Sequence, residues 1–368
     1  MRGQEPKQTV LLPAISIESL VANKLPAEHP LWKIKSYADS VLKSLSPELD
    51  KLYAQGGRPS IPPELLLRAS LWQALFTIRS ERLLVFLLQF DLLCRWFVGL
   101  PLDQDPWDHS SFSKARESLR LPIIAEQFFL RHLQFLREQN LLSSDHLSVD
   151  GTLLEAWASH KSLVRRDELD SDGAPPPPPA GGRNGWVDFK GQKRSNETHI
   201  SATDPDARLA SKGTGAKLSH ELNIVAENRN HFAVSFTVKP PTGTSEREAA
   251  YEMVKNESEQ GRTPITIGGD RKYSDGDELV CKLADLGVVP HFSVRDDRPT
   301  ALARVFHDDE FYPISILKRM KIEEINGFVK RICGLAKLKV RGTVRVVGAA
   351  AIALSAYNLT RQAHLAPA

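Results

Sequence analysis

The chain has 368 residues, of which 41% are hydrophobic, and its 48 lysines and arginines nearly balance 45 acidic residues to leave a net charge of +3. This composition is typical of globular proteins and excludes global disorder, while the length predicts about two domains. The net charge is too small to indicate a polyanionic partner for the whole chain. Any nucleic-acid binding must therefore come from local clusters of basic residues.

The apolar stretches and the cysteines predict a cytoplasmic protein. The longest small and apolar stretch, residues 346–357, is shorter than the roughly 18 residues that a membrane-spanning helix needs. The first twenty residues carry Glu5, Lys7 and Glu18 and no uninterrupted apolar core, so we expect no secretory signal. The three cysteines stand far apart without a CxxC pair, which argues against a zinc ribbon or a disulfide framework.

The first third of the chain predicts helices. After an N-terminal tail over 1–27, apolar residues in 28–142 recur at spacings of three and four, as an amphipathic helix requires. Several short helices are expected between 60 and 119. They are compatible with a helix-turn-helix that reads DNA and equally with a packing scaffold, because bare helix-turn-helix patterns match many helical domains.

The pattern changes after residue 143 to one typical of strands. Alternation over 146–150 predicts a strand that Gly151 ends, and the proline- and glycine-rich 167–185 predicts an exposed insertion loop. Further strands are expected at 222–226, 232–238, 265–269 and 288–294, helices at 245–260, 275–286, 317–338 and 347–361, and a tail at 363–368. The fold class is therefore α/β (mixed α+β), with a helical N-terminal domain before a mixed-sheet domain over 143–362 that ends in helices.

Three carboxylates in this second region are candidates for metal binding. Asp150 and Asp270 lie at predicted strand ends, and Arg319, Glu323 and Lys330 share one stripe of the predicted helix 317–338. Taken singly, an aspartate beside glycine is more often a turn residue, and the helical stripe is a solvated face. Together, three oxygen ligands suit Mg²⁺, and two such ions can clamp the attacking and leaving oxygens of a phosphodiester.

Seven stretches carry a family resemblance that covers about residues 28–362. They resemble, in sequence and order, blocks of the bacterial insertion-sequence transposases of the DDE type, in family five. The stretches are GGRPSIPPELLLRA, LLCRWFVGLPLDQDPWDHSSFSKAR, SVDGTLLEAWASHKS, GQKRSNETHISATDPDARL, GRTPITIGGDRKYSD, IEEINGFVKRICGL and AYNLTR. The resemblance implies an RNase H-like catalytic domain after a helical N-terminal domain.

The resemblance also implies an activity and its partners. Asp150, Asp270 and Glu323 would be catalytic and would bind two Mg²⁺ ions, with Mn²⁺ as a substitute. The reaction would be hydrolysis at the element's ends, followed by attack of the freed 3′-hydroxyl on target DNA. The partners would be double-stranded DNA, as terminal inverted repeats and target, and further copies of the chain in a homo-oligomer.

The last helix departs from the family signature at one position. The signature is Tyr, two residues, Arg, three residues, Glu, six residues, Lys. Arg319, Glu323 and Lys330 keep this spacing, which selects Glu323 over Glu324, but Ile316 occupies the tyrosine position. The segment 296–311 also departs from the family, so a decayed or repurposed DNA-binding copy is the alternative to an active enzyme.

A second enzyme class, the haloacid-dehalogenase-type phosphatases, has a nucleophile loop similar to VDGTL. That loop needs two aspartates in the pattern DxDGT, and Ser148 occupies the first position. Without the carboxylate that accepts the phosphoryl group, this reading is a remote alternative.

Local charge predicts where DNA binds. Residues 318–345 hold nine lysines and arginines against two glutamates, which gives a net +7. Such a stripe beside a phosphodiester-cutting site would hold the DNA backbone, although a merely solvated basic face would look the same. The residues predicted to contact DNA phosphates are Arg319, Lys330, Lys318, Lys321 and Arg331, with Lys193 and Arg194 as a weaker second group. His199 is expected to be a hydrogen-bonded core residue.

Overall fold

A computed structural model describes residues 3, 16–53, 56, 60–168, 194–211, 213, 215–298 and 300–365. The helices are α1 Ile17–Ala22, α2 Pro30–Lys51, α3 Pro63–Leu75, α4 Glu81–Phe90, α5 Leu92–Val98, α6 His109–Glu117, α7 Arg120–Glu138, α8 Ser245–Glu259, α9 Asp277–Asp285, α10 Tyr312–Arg319, α11 Ile322–Gly327 and α12 Thr343–Leu365. The strands are β1 His146–Glu155, β2 Leu163–Arg165, β3 His199–Ser201, β4 Arg208–Ala210, β5 Lys217–Glu227, β6 Ala233–Lys239, β7 Thr266–Gly269 and β8 Val289–Phe292. Most of the predicted insertion loop 167–185, together with Lys193, lies outside the described residues.

The helices that precede β1 begin and end at residues suited to those positions. Asp91 Oδ1 accepts a hydrogen bond from Cys94 N at 2.7 Å and so caps α5. Gly99 ends the same helix in the left-handed conformation, with φ of 87°. Asp108 Oδ1 caps α6 by accepting from Ser110 N at 2.8 Å. The predicted helical character of the first third of the chain is confirmed.

The main sheet is mixed, which confirms the predicted fold class. Its strand order is β6, β5, β1, β7, β8, and β4 also pairs with β5. Strand β5 runs antiparallel to both β1 and β6. Strand β7 runs parallel to both β1 and β8. Because side chains alternate along a strand, Leu147 and Val149 face α8, while Leu154 faces the layer formed by α11 and α12. Helices therefore cover both faces of the sheet.

The prediction that Gly151 ends the first strand was wrong. Strand β1 continues to Glu155 because it pairs with β5 along its whole length, with Gly151 opposite Asn223. A Cβ atom at Gly151 would lie 2.7 Å from Asn223 Oδ1 and 2.8 Å from Glu246 Cγ. The glycine is required here by the close approach of α8, and it does not interrupt the strand.

The prediction of one helix over 317–338 was also wrong. The chain forms α10, then α11, and then a π-helical turn at Phe328–Ile332. Helix α10 packs on β1, β7 and β8, whereas α11 packs on β1 and the π turn packs on α12. Between α10 and α11 the α-helical pattern is replaced by hydrogen bonds between residues three apart, such as Lys321 N to the carbonyl oxygen of Lys318 at 2.9 Å. Arg319, Glu323 and Lys330 therefore belong to three separate segments: α10, α11 and the π turn.

Helix α12 is longer than the apolar stretch 346–357 indicated. With 23 residues, the helix is long and apolar enough to cross a membrane by length and composition alone. However, 61% of its most apolar 18-residue segment is buried inside the protein. It packs against α2, α3, α7 and β6. An apolar helix surrounded in this way is the core helix of a folded domain.

The main hydrophobic core crosses the domain boundary predicted near residue 142. It includes residues of α2, α3 and α7 together with residues of α12 and the α12 face of the sheet. His132 Nε2 on α7 and Gln362 Oε1 on α12 are 2.9 Å apart, and burial lowers the pKa of His132 to about 4. His132 is therefore neutral at pH 7 and contributes a hydrogen bond without a buried charge.

Substitution of Gly348 by alanine is expected to destabilise the protein. A Cβ atom there would lie 2.6 Å from Pro122 Cα, so the added methyl group meets the backbone of α7. The overlap should outweigh the helix propensity that alanine gains and lower the free energy of unfolding by about 1–2 kcal/mol. Urea denaturation measures this change. Gly243→Ala, where a Cβ atom would meet nothing within 4 Å, is the control, and an equal effect in both variants would contradict the packing argument.

Candidate active site

Asp150 lies in β1, and Asp270 directly follows the end of β7, the parallel neighbour of β1. Strands β1 and β7 pair in register as far as Ser148 opposite Gly268, and each aspartate is two residues further along its strand direction. The alternation of side chains along β1 directs the Asp150 carboxylate toward the face covered by α10 and α11. Both aspartates are half-buried. Asp270 Oδ1 accepts a hydrogen bond from Lys272 N at 2.9 Å, which fixes one of its oxygens.

Helix α11 contacts this pair through Asn326. Asn326 Nδ2 donates a hydrogen bond to Asp150 Oδ2 at 2.6 Å, and the asparagine is 9% exposed. Its Oδ1 is buried and has no hydrogen-bond partner within the part of the chain that the structure describes. Sequence reasoning missed this residue, because an asparagine between two apolar helix positions carries no signal until the helix is placed on the sheet.

Glu323 lies one helical turn before Asn326 and is exposed. Residues three apart are neighbours on a helix surface, so Glu323 is on the side of α11 that includes the contact with Asp150. The neighbouring Glu324 forms an ion pair with Lys321 at 2.6 Å. Glu324 also contributes to the electrostatic environment of His231, in the turn between β5 and β6. Glu323 is therefore on the side of α11 that contacts Asp150, whereas Glu324 is on the side near Lys321 and His231.

The basic residues predicted to bind DNA occupy several positions around this site. Arg319 lies beside β7, with its Cβ 3.8 Å from the position of a Cβ at Gly268, and its Nε is buried without a hydrogen-bond partner among residues that the structure describes. Lys318 and Lys321 lie near His231, whose pKa burial lowers to about 4 with help from Lys318, Arg361 and Lys321.

The remaining predicted contacts are more scattered. Lys330 lies on the π turn, and Arg331 Nη2 is 2.8 Å from the position of a Cβ at Gly327. Arg194 Nη1 donates to the carbonyl oxygen of His160 at 3.0 Å. His199 is buried, and its Nδ1 is 2.8 Å from Thr198 Oγ1, as expected for a core histidine.

Tyr273 lies among four carboxylates behind the aspartate pair. Burial first, and then Asp150, Glu246, Asp270 and Glu221, raise the pKa of Tyr273 well above its ordinary value, so it is a neutral phenol. Its hydroxyl is buried and has no hydrogen-bond partner in the described ranges. The site is therefore more acidic than the three predicted carboxylates alone indicate.

A tyrosine is present close to position 316, where the family signature expects one. Ile316 is half-buried on α10, and Tyr312 lies one helical turn earlier on the same face. The Tyr312 ring stacks on His307, with ring centroids 4.2 Å apart. Burial raises the pKa of Tyr312, while Arg304 and Arg319 lower it. Tyr312 is thus in the electrostatic environment of Arg319.

The residues at this site fit a divalent cation in their chemistry. Two carboxylates and the free amide oxygen of Asn326 are hard oxygen donors, which Mg²⁺ prefers. Within the described ranges, however, no three histidine, cysteine, aspartate or glutamate side chains converge closely enough to hold a metal ion.

The fold and the site together define a mixed α/β protein whose paired strand-end carboxylates and flanking cations suit chemistry on phosphodiesters. Two family models match the chain: the transposase domain (DUF772) over residues 20–118 and the transposase DDE domain over residues 196–359. These matches identify the chain as a transposase of the DDE type. Transposases of this type generally use a divalent metal ion.

The other comparisons find only distant relatives. Among solved structures, the chain is similar to that of a piggyBac transposase synaptic complex with hairpin DNA, determined by cryo-EM. The two share 10% sequence identity with a TM-score of 0.41, over 91% of this chain and 75% of that chain, a likeness too distant to support an argument about this chain. No curated protein matches the sequence.

The phosphatase alternative has no support. Ser148, at the position where that class needs its nucleophilic carboxylate, is buried and donates a hydrogen bond from Oγ to Asn228 Oδ1 at 2.7 Å. This buried serine hydroxyl cannot replace the carboxylate that accepts the phosphoryl group in that class. Both family matches are to transposases.

Proposed function

We propose that this transposase cuts the phosphodiester at the ends of an insertion sequence and joins the freed 3′-hydroxyl to target DNA, with Asp150, Asp270 and Glu323 as its catalytic carboxylates. The observation that carries the proposal is that Asp150 lies in β1 and Asp270 directly follows β7, the parallel neighbour of β1, with α11 in contact with Asp150. Glu323 is one helical turn from that contact, which supports its assignment as the third carboxylate.

Each residue has a role that follows from its position. Asp150, Asp270 and Glu323 would hold two Mg²⁺ ions, or Mn²⁺ in their place, and Asn326 would keep the Asp150 carboxylate oriented. When bound, such ions supply an activated nucleophile and neutralise the leaving oxygen. Arg319 at the end of α10 and Lys330 on the π turn would add positive charge for the DNA phosphates.

The partners follow from the same chemistry. Basic residues around the site, including Lys318, Lys321 and Arg331, would contact the DNA backbone, so binding should weaken as salt rises. The substrate would be double-stranded DNA, as terminal inverted repeats and target. Two element ends must be held together for joining, which favours a homo-oligomer on DNA. The protein would act in the bacterial cytoplasm, on the nucleoid.

The proposal is tested by cleavage of a labelled duplex that carries the DNA flanking this gene, with Mg²⁺ or Mn²⁺. Wild-type protein is expected to cut at a defined element end, and Asp150→Asn is expected to bind the same duplex without cutting it. Lys282→Ala is the control, because Lys282 is an exposed lysine on α9 that pairs with Glu278. Equal cutting by Asp150→Asn would exclude this carboxylate from the chemistry.

A second candidate is a copy that still binds DNA but has lost strand transfer. Ile316 at the tyrosine position of the signature favours it, and the same assay separates the two functions. Salt-sensitive retention of the duplex without a cut under either ion would support the decayed copy. A cut that depends on Asp150 would eliminate it.

A further inference from the structure

A cleft with an exposed tryptophan lies on the surface beyond the end of β1. Strand β1 carries Asp150 and continues to Glu155, and Trp157 follows two residues later with 44% of its surface exposed. The loop around Leu338 runs beside this end of the strand. Glu155 N donates to Ala336 O at 3.1 Å, and Leu338 N donates to Glu155 O at 2.8 Å. These bonds bring a basic segment of the chain against the tryptophan.

The cleft is lined by Glu117, Trp157, Lys339, Val340, Arg341 and Arg345. Three cations therefore face one carboxylate around a single aromatic ring. This combination differs from a core pocket, which would be apolar, and from an ordinary charged face, which would not expose an indole ring.

The basic side of the cleft is held in place by hydrogen bonds. Arg345 Nε donates to the carbonyl oxygen of Glu117 at 2.7 Å, which joins the start of α12 to the end of α6. Gly342 N donates to Asp204 Oδ1 at 3.2 Å, and Thr343 N donates to Asp206 Oδ2 at 2.7 Å. The turn that carries Arg341 is thus anchored at both of its following residues.

An indole face flanked by cations suits one kind of ligand. Aromatic side chains stack on bases irrespective of sequence, while lysine and arginine hold the adjoining phosphates. In a duplex each base is already stacked between its neighbours, so its faces are not available to a protein ring. A nucleotide that has left the stack offers both a free base face and its phosphates. The cleft therefore favours an unpaired nucleotide over paired DNA.

We propose that the cleft formed by Trp157, Lys339, Arg341 and Arg345 binds an unpaired nucleotide of the DNA, with its base stacked on Trp157. This inference rests on the proposed function, because it assigns a second contact to the same DNA. Trp157 is seven positions after Asp150 in the chain, so at about 3.3 Å per residue the two lie at most about 23 Å apart. At about 3.4 Å per base pair, the unpaired nucleotide would lie within about seven positions of the phosphate that is cut.

The test compares two labelled duplexes that differ only in one unpaired 2-aminopurine. Dissociation constants are measured by fluorescence anisotropy at fixed salt, without Mg²⁺. Wild-type protein is expected to bind the bulged duplex about tenfold more tightly than the paired one and to quench the 2-aminopurine. Trp157→Ala is expected to lose this preference and the quenching while its affinity for the paired duplex is unchanged. Trp157→Phe should keep most of both.

Two further variants complete the experiment. Phe86→Ala removes an exposed aromatic ring on α4, 58% exposed and outside the cleft, and should leave the preference intact. Arg341→Ala should lower the affinity for the bulged duplex and reduce its dependence on salt by about one phosphate contact. Circular dichroism of each variant establishes that it is folded.

The outcomes separate this inference from the proposed function. No preference for the bulged duplex in the wild type, or the same preference in Trp157→Ala, would overturn the cleft assignment even if the wild type cuts DNA in the presence of Mg²⁺. Failure of the folded wild type to bind either duplex would overturn the proposed function and the inference together. Loss of preference in Trp157→Ala, with retention in Trp157→Phe and Phe86→Ala, supports the cleft assignment, while cleavage with Mg²⁺ tests the proposed function separately.

Discussion

Substitution of Glu323 by glutamine is expected to lower the rate of duplex cleavage by at least about 10²-fold while DNA binding is retained. The amide keeps the shape of the side chain but removes the charge that a divalent cation requires. Cleavage of the labelled duplex measures the first effect, and retention of the same duplex without Mg²⁺ measures the second. Because Glu323 is exposed, the substitution should not change the free energy of unfolding.

The matched control for this prediction is the neighbouring glutamate. Glu324→Gln removes the same charge from the same turn of α11, but Glu324 pairs with Lys321 and lies in the environment of His231. It should cut DNA at nearly the wild-type rate. If Glu324→Gln were the inactive variant and Glu323→Gln the active one, the carboxylate assignment on α11 would be reversed.

Substitution of Asn326 by alanine is the second change with a large expected effect. Without its hydrogen bond at 2.6 Å, the Asp150 carboxylate loses the contact that orients it. Residues that orient a metal ligand typically contribute 10–100-fold to metal affinity or activity. We therefore expect the Mn²⁺ concentration for half-maximal cleavage to rise by about that factor. A titration of cleavage rate against Mn²⁺ measures the change.

Two variants distinguish orientation of Asp150 from a merely structural role of Asn326. Asn326→Asp places a second carboxylate beside Asp150, and like charges ionise less readily, so the pH for half-maximal cleavage should rise. Asn326→Gln keeps an amide donor and should restore part of the Mn²⁺ affinity that alanine loses. Asn256→Ala, at an exposed position of α8, controls for loss of an asparagine. An unchanged Mn²⁺ requirement in Asn326→Ala would refute the positioning role.

Local patterns in the sequence predicted much of the sheet domain. Patterns of apolar residues located β6, β7 and β8 to within a few residues and found about half of β1 and of β5. The same patterns failed at Gly151, where the glycine follows from the approach of Glu246 from another element. They also failed at residues 320–321, where the chain turns between α10 and α11. Both errors concern contacts with distant parts of the chain.

Some residues of the candidate site could be chosen from the sequence, and others could not. Asp150 and Asp270 could be chosen from the sequence because each follows a recognisable strand pattern, and the spacing of Arg319 from Glu323 selected one glutamate of two. Asn326 could not be chosen, since its role depends on the contact between α11 and β1. The predicted domain boundaries and the catalytic roles of these residues stay predictions.

By itself the sequence determined the class of fold and the order of the main strands and helices, and it selected candidate carboxylates for a phosphodiester-cutting site, because these follow from periodicity and residue type over short stretches. The tertiary structure alone decided which of these residues meet. The register of β1 on β7 brings Asp150 beside Asp270, and the loop before α12 brings Arg341 beside Trp157. Residues so far apart along the chain are joined by sheet pairing and core packing, which no local pattern encodes.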